Sequence, residues 1–275
     1  MIEIKNINFS YGKHIVFDNV TMTLEPGMIY GLLGQNGVGK STLLKLISGL
    51  LKLENGSCIV NGHSPFKREP SFLNNLYYLP EDFIGPDTII ETYVEDMGIF
   101  YPHFSIDKFK SIAKELDVDT TAKFTKLSFG QQKKAIIAFA LSTGTEILLM
   151  DEPSNGLDIP SKVILRRLIA QNAGENQIIV ISTHQVRDLE NLIDPIIILD
   201  RGGVILNESI PSISEKLQFG IDPQKNNNAL YSEQTLNGYL TVCENKSGIE
   251  TNVDLEGLFN CTLANKARIK ELFKK

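Results

Sequence analysis

Residues 34–42 read GQNGVGKST and directly follow an apolar run at residues 28–33. The pattern GxxxxGK[ST], set between an expected strand and an expected helix, is compatible with few folds. Gly34, Gly37 and Gly39 let the backbone curl without side-chain clash, so successive N–H groups face a large anion. Lys40 is placed to meet the β and γ phosphates of a nucleotide, and the Ser41 hydroxyl to ligate Mg²⁺. Gln35, Asn36 and Thr42 belong to the same nucleotide-binding segment. A helix starting near Lys40 adds the positive end of its dipole.

Around this loop the chain reads as layered α/β. Residues 2–9 and 16–24 alternate apolar and polar positions, as strands do, and the second stops at Glu25-Pro26-Gly27. Strands are expected at residues 58–61 and 76–79, forming an antiparallel sheet with these around the loop strand. Residues 43–51 read as the helix after the loop. From about 85 to 125 the period turns helical, with Pro102 between two stretches, predicting an inserted helical subdomain.

Helices near 130–142, 160–172 and 185–193 then alternate with strands near 147–151, 178–183 and 196–199. That alternation implies a parallel sheet covered on both faces. A tight turn at Arg201-Gly202-Gly203 leads into residues 204–206. Residues 218–228 are polar, contain Pro223 and three asparagines, and read as a linker. Strands at 238–242 and 249–253 and helices at 255–259 and 265–274 are expected beyond it. The division is therefore residues 1–213 and an α+β extension at 214–275.

The sequence ILLMDE at 147–152 ends an apolar strand in two acids. They fall at the C-terminal edge of a parallel sheet, where α/β ligands bind. Asp151 is the expected Mg²⁺ ligand, and Glu152 the group that orients an attacking water. Ser128, Gly130 and Gln131, in LSFGQQ, open a predicted helix and form a second anion-binding element. One nucleotide does not easily use both elements. A two-fold dimer resolves this, each loop nucleotide being capped by residues 128–131 of the other copy.

GQNGVGKST, LSFGQQ, ILLMDE, SNGLD and STH, in this order, resemble the ATP-binding cassette of ABC transporters over roughly residues 1–213. The resemblance implies a P-loop NTPase (RecA-like) core with a parallel sheet, an antiparallel β subdomain and an inserted helical subdomain. It further implies ATP and Mg²⁺, a second cassette as homo- or heterodimer partner, and a separate transmembrane permease. Tyr11 resembles the aromatic that stacks on adenine, a contact worth roughly 1–3 kcal/mol per base in related settings. Asp158 resembles the acid that reaches the partner subunit; it also precedes Pro160 and so caps the next helix. His184 resembles the histidine that contacts the γ-phosphate, so the implied catalytic set is Lys40, Glu152 and His184. Two departures stand out. Phe129 occupies a position where the family commonly has Gly. Glu81 stands where it usually has Gln, next to Mg²⁺; a carboxylate still ligates a hard cation but adds negative charge near the phosphates. His14, His63 and His103 have no such context and read as surface or loop residues.

Bulk properties narrow the alternatives. The net charge is −6 and the pI about 5.4, which argues against a broad nucleic-acid footprint. Cys58, Cys243 and Cys261 are scattered, without metal-ligand or disulfide spacing, as in a reducing compartment. No run of about 18 apolar residues occurs, and the N-terminus alternates like a strand rather than a signal peptide. The expected location is cytoplasmic, peripheral on the inner face of the cell membrane. A soluble, ribosome- or DNA-associated ATPase of the same superfamily and a nucleotide-gated interaction module are the alternatives. Neither a second cassette nor sustained heptads is present to favour the former.

Overall fold

The computed structural model describes residues 1–274. Its centre is a six-stranded sheet ordered β5 (Leu76–Leu79), β6 (Ile147–Asp151), β7 (Ile178–Thr183), β3 (Ile29–Leu33), β8 (Ile196–Asp200) and β9 (Gly203–Glu208). The first five run parallel and β9 is an antiparallel edge. Every residue of β6, β7 and β8 is buried. That explains why they read as unbroken apolar runs: both faces of the sheet are covered.

A second sheet, ordered β2 (His14–Leu24), β1 (Ile2–Tyr11) and β4 (Asn55–Val60), is antiparallel. Its inward residues Ile2, Ile4, Val20 and Leu24 join Leu32, Leu44 and Leu149 in one core layer. α1 (Lys40–Ile47) lies in that layer and ends earlier than its apolar run suggests, because Gly49 turns the chain at φ +72°.

α2 (Pro70–Leu73) joins the same layer through Phe72. The opposite layer holds α3 (Ile90–Gly98), α4 (Ile106–Glu115), α5 (Phe129–Ser142) and α6 (Ile159–Asn172), which share the core on that side. Phe139 on α5 is the aromatic hub: Tyr77, Tyr93, Tyr101 and Phe104 all pack on it at centroid distances of 5.5–6.2 Å. The helical insertion is thereby fastened to the sheet by aromatic edges as well as by aliphatic burial.

Four expectations are corrected. Leu76–Leu79 is not antiparallel; it pairs in parallel with β6 from Leu76↔Ile147 to Leu79↔Met150. Four apolar residues carry no period that distinguishes the two sheets. The helix expected at 185–193 is a single 3₁₀ turn, Val186–Leu189. Glu190, extended at ψ 136°, and Asn191, at φ +61°, end it, since neither continues a right-handed helix.

The polar stretch after 217 is no linker: Leu217–Asp222 forms β10, paired with β12 (Gly238–Glu244), which also pairs β11 (Tyr231–Thr235). Buried Leu217 and Phe219 alternate with Gln218 and Gly220, a two-residue period hidden by the polar composition around it. Residues 249–253 form no strand; Thr251 Oγ1 instead accepts the Phe219 N–H at 2.9 Å.

α7 (Ile210–Lys216) runs across the 213/214 boundary, and α8 (Leu255–Ala264) and α9 (Lys266–Leu272) follow the strands. Leu258, Cys261 and Ile269 belong to the same buried cluster as Ile196 and Ile213.

Candidate functional site

The loop of residues 34–42 bridges the end of β3 and the start of α1, as its spacing requires. Gly37 has φ +80° and Gly39 φ +112°. A methyl on Gly39 would lie 2.6 Å from Val16 Cγ1, so both conformation and space demand glycine there. Lys40 folds back over the loop, donating to the carbonyls of Gly34 at 2.8 Å and Gln35 at 3.3 Å.

A cavity of ≈320 Å³ opens at this loop. It is lined by Tyr11, His14, Val16, Asn36, Gly37, Gly39, Lys40, Ser41, Thr42, Glu81 and Glu152. Nine of the eleven were singled out from sequence. His14 was not: as an exposed strand residue next to Tyr11 it carries no motif, and its place follows only from the β1–β2 hairpin, where Tyr11 pairs with His14. Tyr11 is half exposed, and its ring stands perpendicular to that of Phe9 at 5.0 Å.

Behind the cavity the acids at the end of β6 are fixed by neighbours. Asp151 Oδ1 accepts from Ser182 Oγ and Oδ2 from the Tyr78 hydroxyl at 3.2 Å. Burial, then the Asp151 charge, push the Tyr78 phenol well above its ordinary range, so it stays a donor. Glu152 has φ +44°, an unusual conformation for a side-chain-bearing residue, and its N–H donates to the Ser182 carbonyl and hydroxyl. Its Oε1 lies 2.9 Å from His184 Nδ1 and 3.3 Å from Lys40 Nζ. Its Oε2 is buried and, among the described residues, has no hydrogen-bond partner. A buried carboxylate oxygen without a donor is costly, and a water or a water-bound cation in the cavity would satisfy it.

The expected metal ligands are adjacent but not clustered. Ser41 and Glu81 line the cavity, whereas Asp151 stands behind it. Glu81 Oε1 already accepts from Asn155 Nδ2 at 2.8 Å. No group of three acidic, His or Cys side chains is preassembled for a metal among the described residues. Hard oxygen donors around a phosphate site nevertheless suit Mg²⁺, which keeps waters and takes only one or two protein ligands.

Ser128, Gly130, Gln131 and Asp158 do not line the cavity. Ser128 caps α5, its hydroxyl accepting from the Gln131 N–H at 3.3 Å, and Asp158 caps α6, accepting from Ser161 N–H at 3.0 Å. The Ser161 hydroxyl first, then the Ser161 N–H and the Lys134 charge, hold the Asp158 carboxyl below its ordinary value. Gly130 packs on the Gly156 carbonyl and Phe129 on Gly156 itself, joining the two segments.

Sequence reading also passed over Lys133. It is 1 % exposed, and its ammonium donates to the carbonyls of Pro80 at 3.1 Å and Glu81 at 2.6 Å. Burial pushes it below the ordinary lysine range, while Glu81, Asp151, Asp82 and Glu152 oppose that shift. Helical spacing was the available signal: residue 133 shares a face with buried Ile136, Ile137 and Ala140.

A glycine loop between a parallel strand and a helix, with acids at the end of a neighbouring strand, defines a P-loop nucleoside triphosphatase. The ABC transporter family pattern matches residues 17–155. The bacitracin transport ATP-binding protein BcrA of Bacillus licheniformis is 32% identical over 216 residues, 77% of this chain and 70% of that one. The lantibiotic transport ATP-binding protein SrtF of Streptococcus pyogenes is 28% identical, covering 79% and 94%. A dimeric ATP-binding cassette solved in a post-hydrolysis state with ADP and Pi has TM-score 0.66 at 23% identity, over 76% and 98% of the chains. The chain belongs to the ABC transporter family, as an ATP-binding subunit.

Proposed function

We propose that this chain hydrolyses Mg²⁺-ATP as one of two cassettes that power a separate membrane-embedded permease. The observation that carries the reading is Glu152: one oxygen is shared by Lys40 and His184, and the other is buried without a partner. Such a carboxylate is oriented and short of one donor, which is what a base that positions water needs. Tyr11 stacks on the adenine; Lys40 and the N–H groups of residues 34–42 hold the phosphates; His184 steadies the transferred phosphoryl. Mg²⁺, held by Ser41 and Asp151 with Glu81 nearby, would neutralise charge developing on the phosphates. Ser128, Gly130, Gln131 and Asp158 act on the nucleotide of a second cassette, a role supported by their lying outside this chain's own cavity.

The permease we assign is a separate polypeptide, with the cassette at the cytoplasmic membrane face, a reading supported by the transport ATP-binding proteins this chain resembles. No helix among the described residues is long and apolar enough to cross a membrane. Residues 85–125 are the cassette's docking subdomain; exposed Ile89, Ile99 and Phe100 support that assignment. Residues 1–213 carry the catalytic unit, and 214–275 form an extension built onto it. The test is the mass of Glu152→Gln with and without Mg²⁺-ATP, measured by sedimentation. A monomer that doubles in mass only with nucleotide is expected; a monomer at saturating nucleotide sinks the two-cassette reading.

A further inference from the structure

The cavity already has Glu152 at its wall for water and Asp151 behind it for metal, yet Glu81 adds a second acid to the wall itself. An uncompensated carboxylate beside nucleotide phosphates repels them. An unexplained cation at this turn is Lys133, buried on α5 and bonded to the backbone carbonyls of Pro80 and Glu81. Burying an ammonium is unfavourable unless it is hydrogen-bonded and opposed by negative charge. Here the opposing charges are Glu81 first, then Asp151, Asp82 and Glu152.

We propose that Lys133 is a positioning residue for nucleotide binding: it clamps the turn at Pro80 and Glu81 and supplies the positive charge that lets a carboxylate stand beside the phosphates. The inference rests on reading the cavity as the ATP site. Its consequence is mechanical as well as electrostatic. Lys133 lies on the helix whose first turn carries Ser128 and Gln131, and Glu81 reaches Asn155 in the loop before α6. The ammonium therefore ties the face meant for a second cassette to the wall of the chain's own cavity.

The experiment uses the full chain as parent, Lys133→Met, Glu81→Gln and the double variant. Each is titrated calorimetrically with ATP in EDTA and again with Mg²⁺, and melted without nucleotide. Lys133→Met is expected to bind ATP about tenfold more weakly in EDTA, one pKa unit's worth of interaction. The double variant is expected to return to within about threefold of the parent, since neutral Gln needs no counter-charge. Glu81→Gln alone is expected to bind ATP more tightly than the parent in EDTA, because Lys133 is then unopposed by that carboxylate. The negative outcome of this last arm overturns the charge-matching role even if Lys133→Met does not fold. A double variant as weak as Lys133→Met, or Glu81→Gln no tighter than the parent, overturns the charge-matching role and leaves Lys133 a backbone clamp. A parent that binds no ATP overturns the site reading, and this inference with it.

Discussion

Lys40 Nζ stands 3.3 Å from Oε1 of Glu152, and both side chains are nearly inaccessible to solvent. The loop lysine and the strand-end acid are thus a buried ion pair joining two elements 112 residues apart in sequence. Removing one partner of such a pair strands the other charge. Lys40→Ala is expected to weaken Mg²⁺-ATP binding by about 10- to 100-fold, since charge-assisted hydrogen bonds contribute roughly 1.5–3 kcal/mol. Calorimetric titration checks it, and an affinity equal to the parent's would remove Lys40 from the phosphate site.

Glu152 is held by three separate contacts, so replacing its charge need not move it. Glu152→Gln keeps the shape and the oxygen that meets Lys40 and His184, but loses the basicity needed to draw a proton from water. Phosphate release is expected to fall by about 10²–10⁴-fold, the usual worth of general-base catalysis. ATP affinity should change little by comparison. Hydrolysis at the parent rate would show that Glu152 has another role.

The parts of this site that were legible in the sequence are those fixed by local backbone chemistry. Glycines at 34, 37 and 39, an apolar strand ending in Asp151-Glu152, a helix opening at Ser128 and a cap at Asp158 each act within a few residues. What was hidden depends on pairing between distant segments. Leu76–Leu79 looks the same in either sheet until its neighbour is known. His14 enters the cavity through hairpin register, and Lys133 becomes meaningful only once α5 is laid against the turn at Glu81. The strand Leu217–Asp222 was masked by composition, because three of its six side chains are polar or absent.

Cys58 and Cys261 are buried, and burial pushes each thiol up to about 12. At pH 8 the thiolate, which is the reactive form, is scarce at both. Iodoacetamide labelling of the native chain at pH 8 is expected to be slow at these two residues and fast in denaturant. The same shift links to stability. The unfolded thiols lose their protons above about 8.5 while the folded ones keep theirs, so the unfolded state then binds fewer protons and stability falls as pH rises. Urea midpoints should decline from pH 8.5 towards 12, and Cys58→Ala with Cys261→Ala should flatten part of that decline.

Gly130 and Gly156 meet backbone to backbone, where the segment capping α5 touches the loop that leads to α6. A methyl on Gly130 would lie 2.8 Å from the Gly156 carbonyl oxygen, a partner that is main chain and has no rotamer to yield. Gly156 itself has φ +80° and lies under the Phe129 ring, so it is poorly placed to retreat. Gly130→Ala is therefore expected to cost about 1–3 kcal/mol through overpacking, a shift of several degrees in Tm for a chain of this length. It should also push Ser128 away from the surface offered to a second cassette, lowering turnover far more than the melting shift accounts for at 25 °C. Thermal melting and phosphate release on the same sample separate the two effects. A variant that melts lower yet turns over at the parent rate would show that this contact serves stability alone.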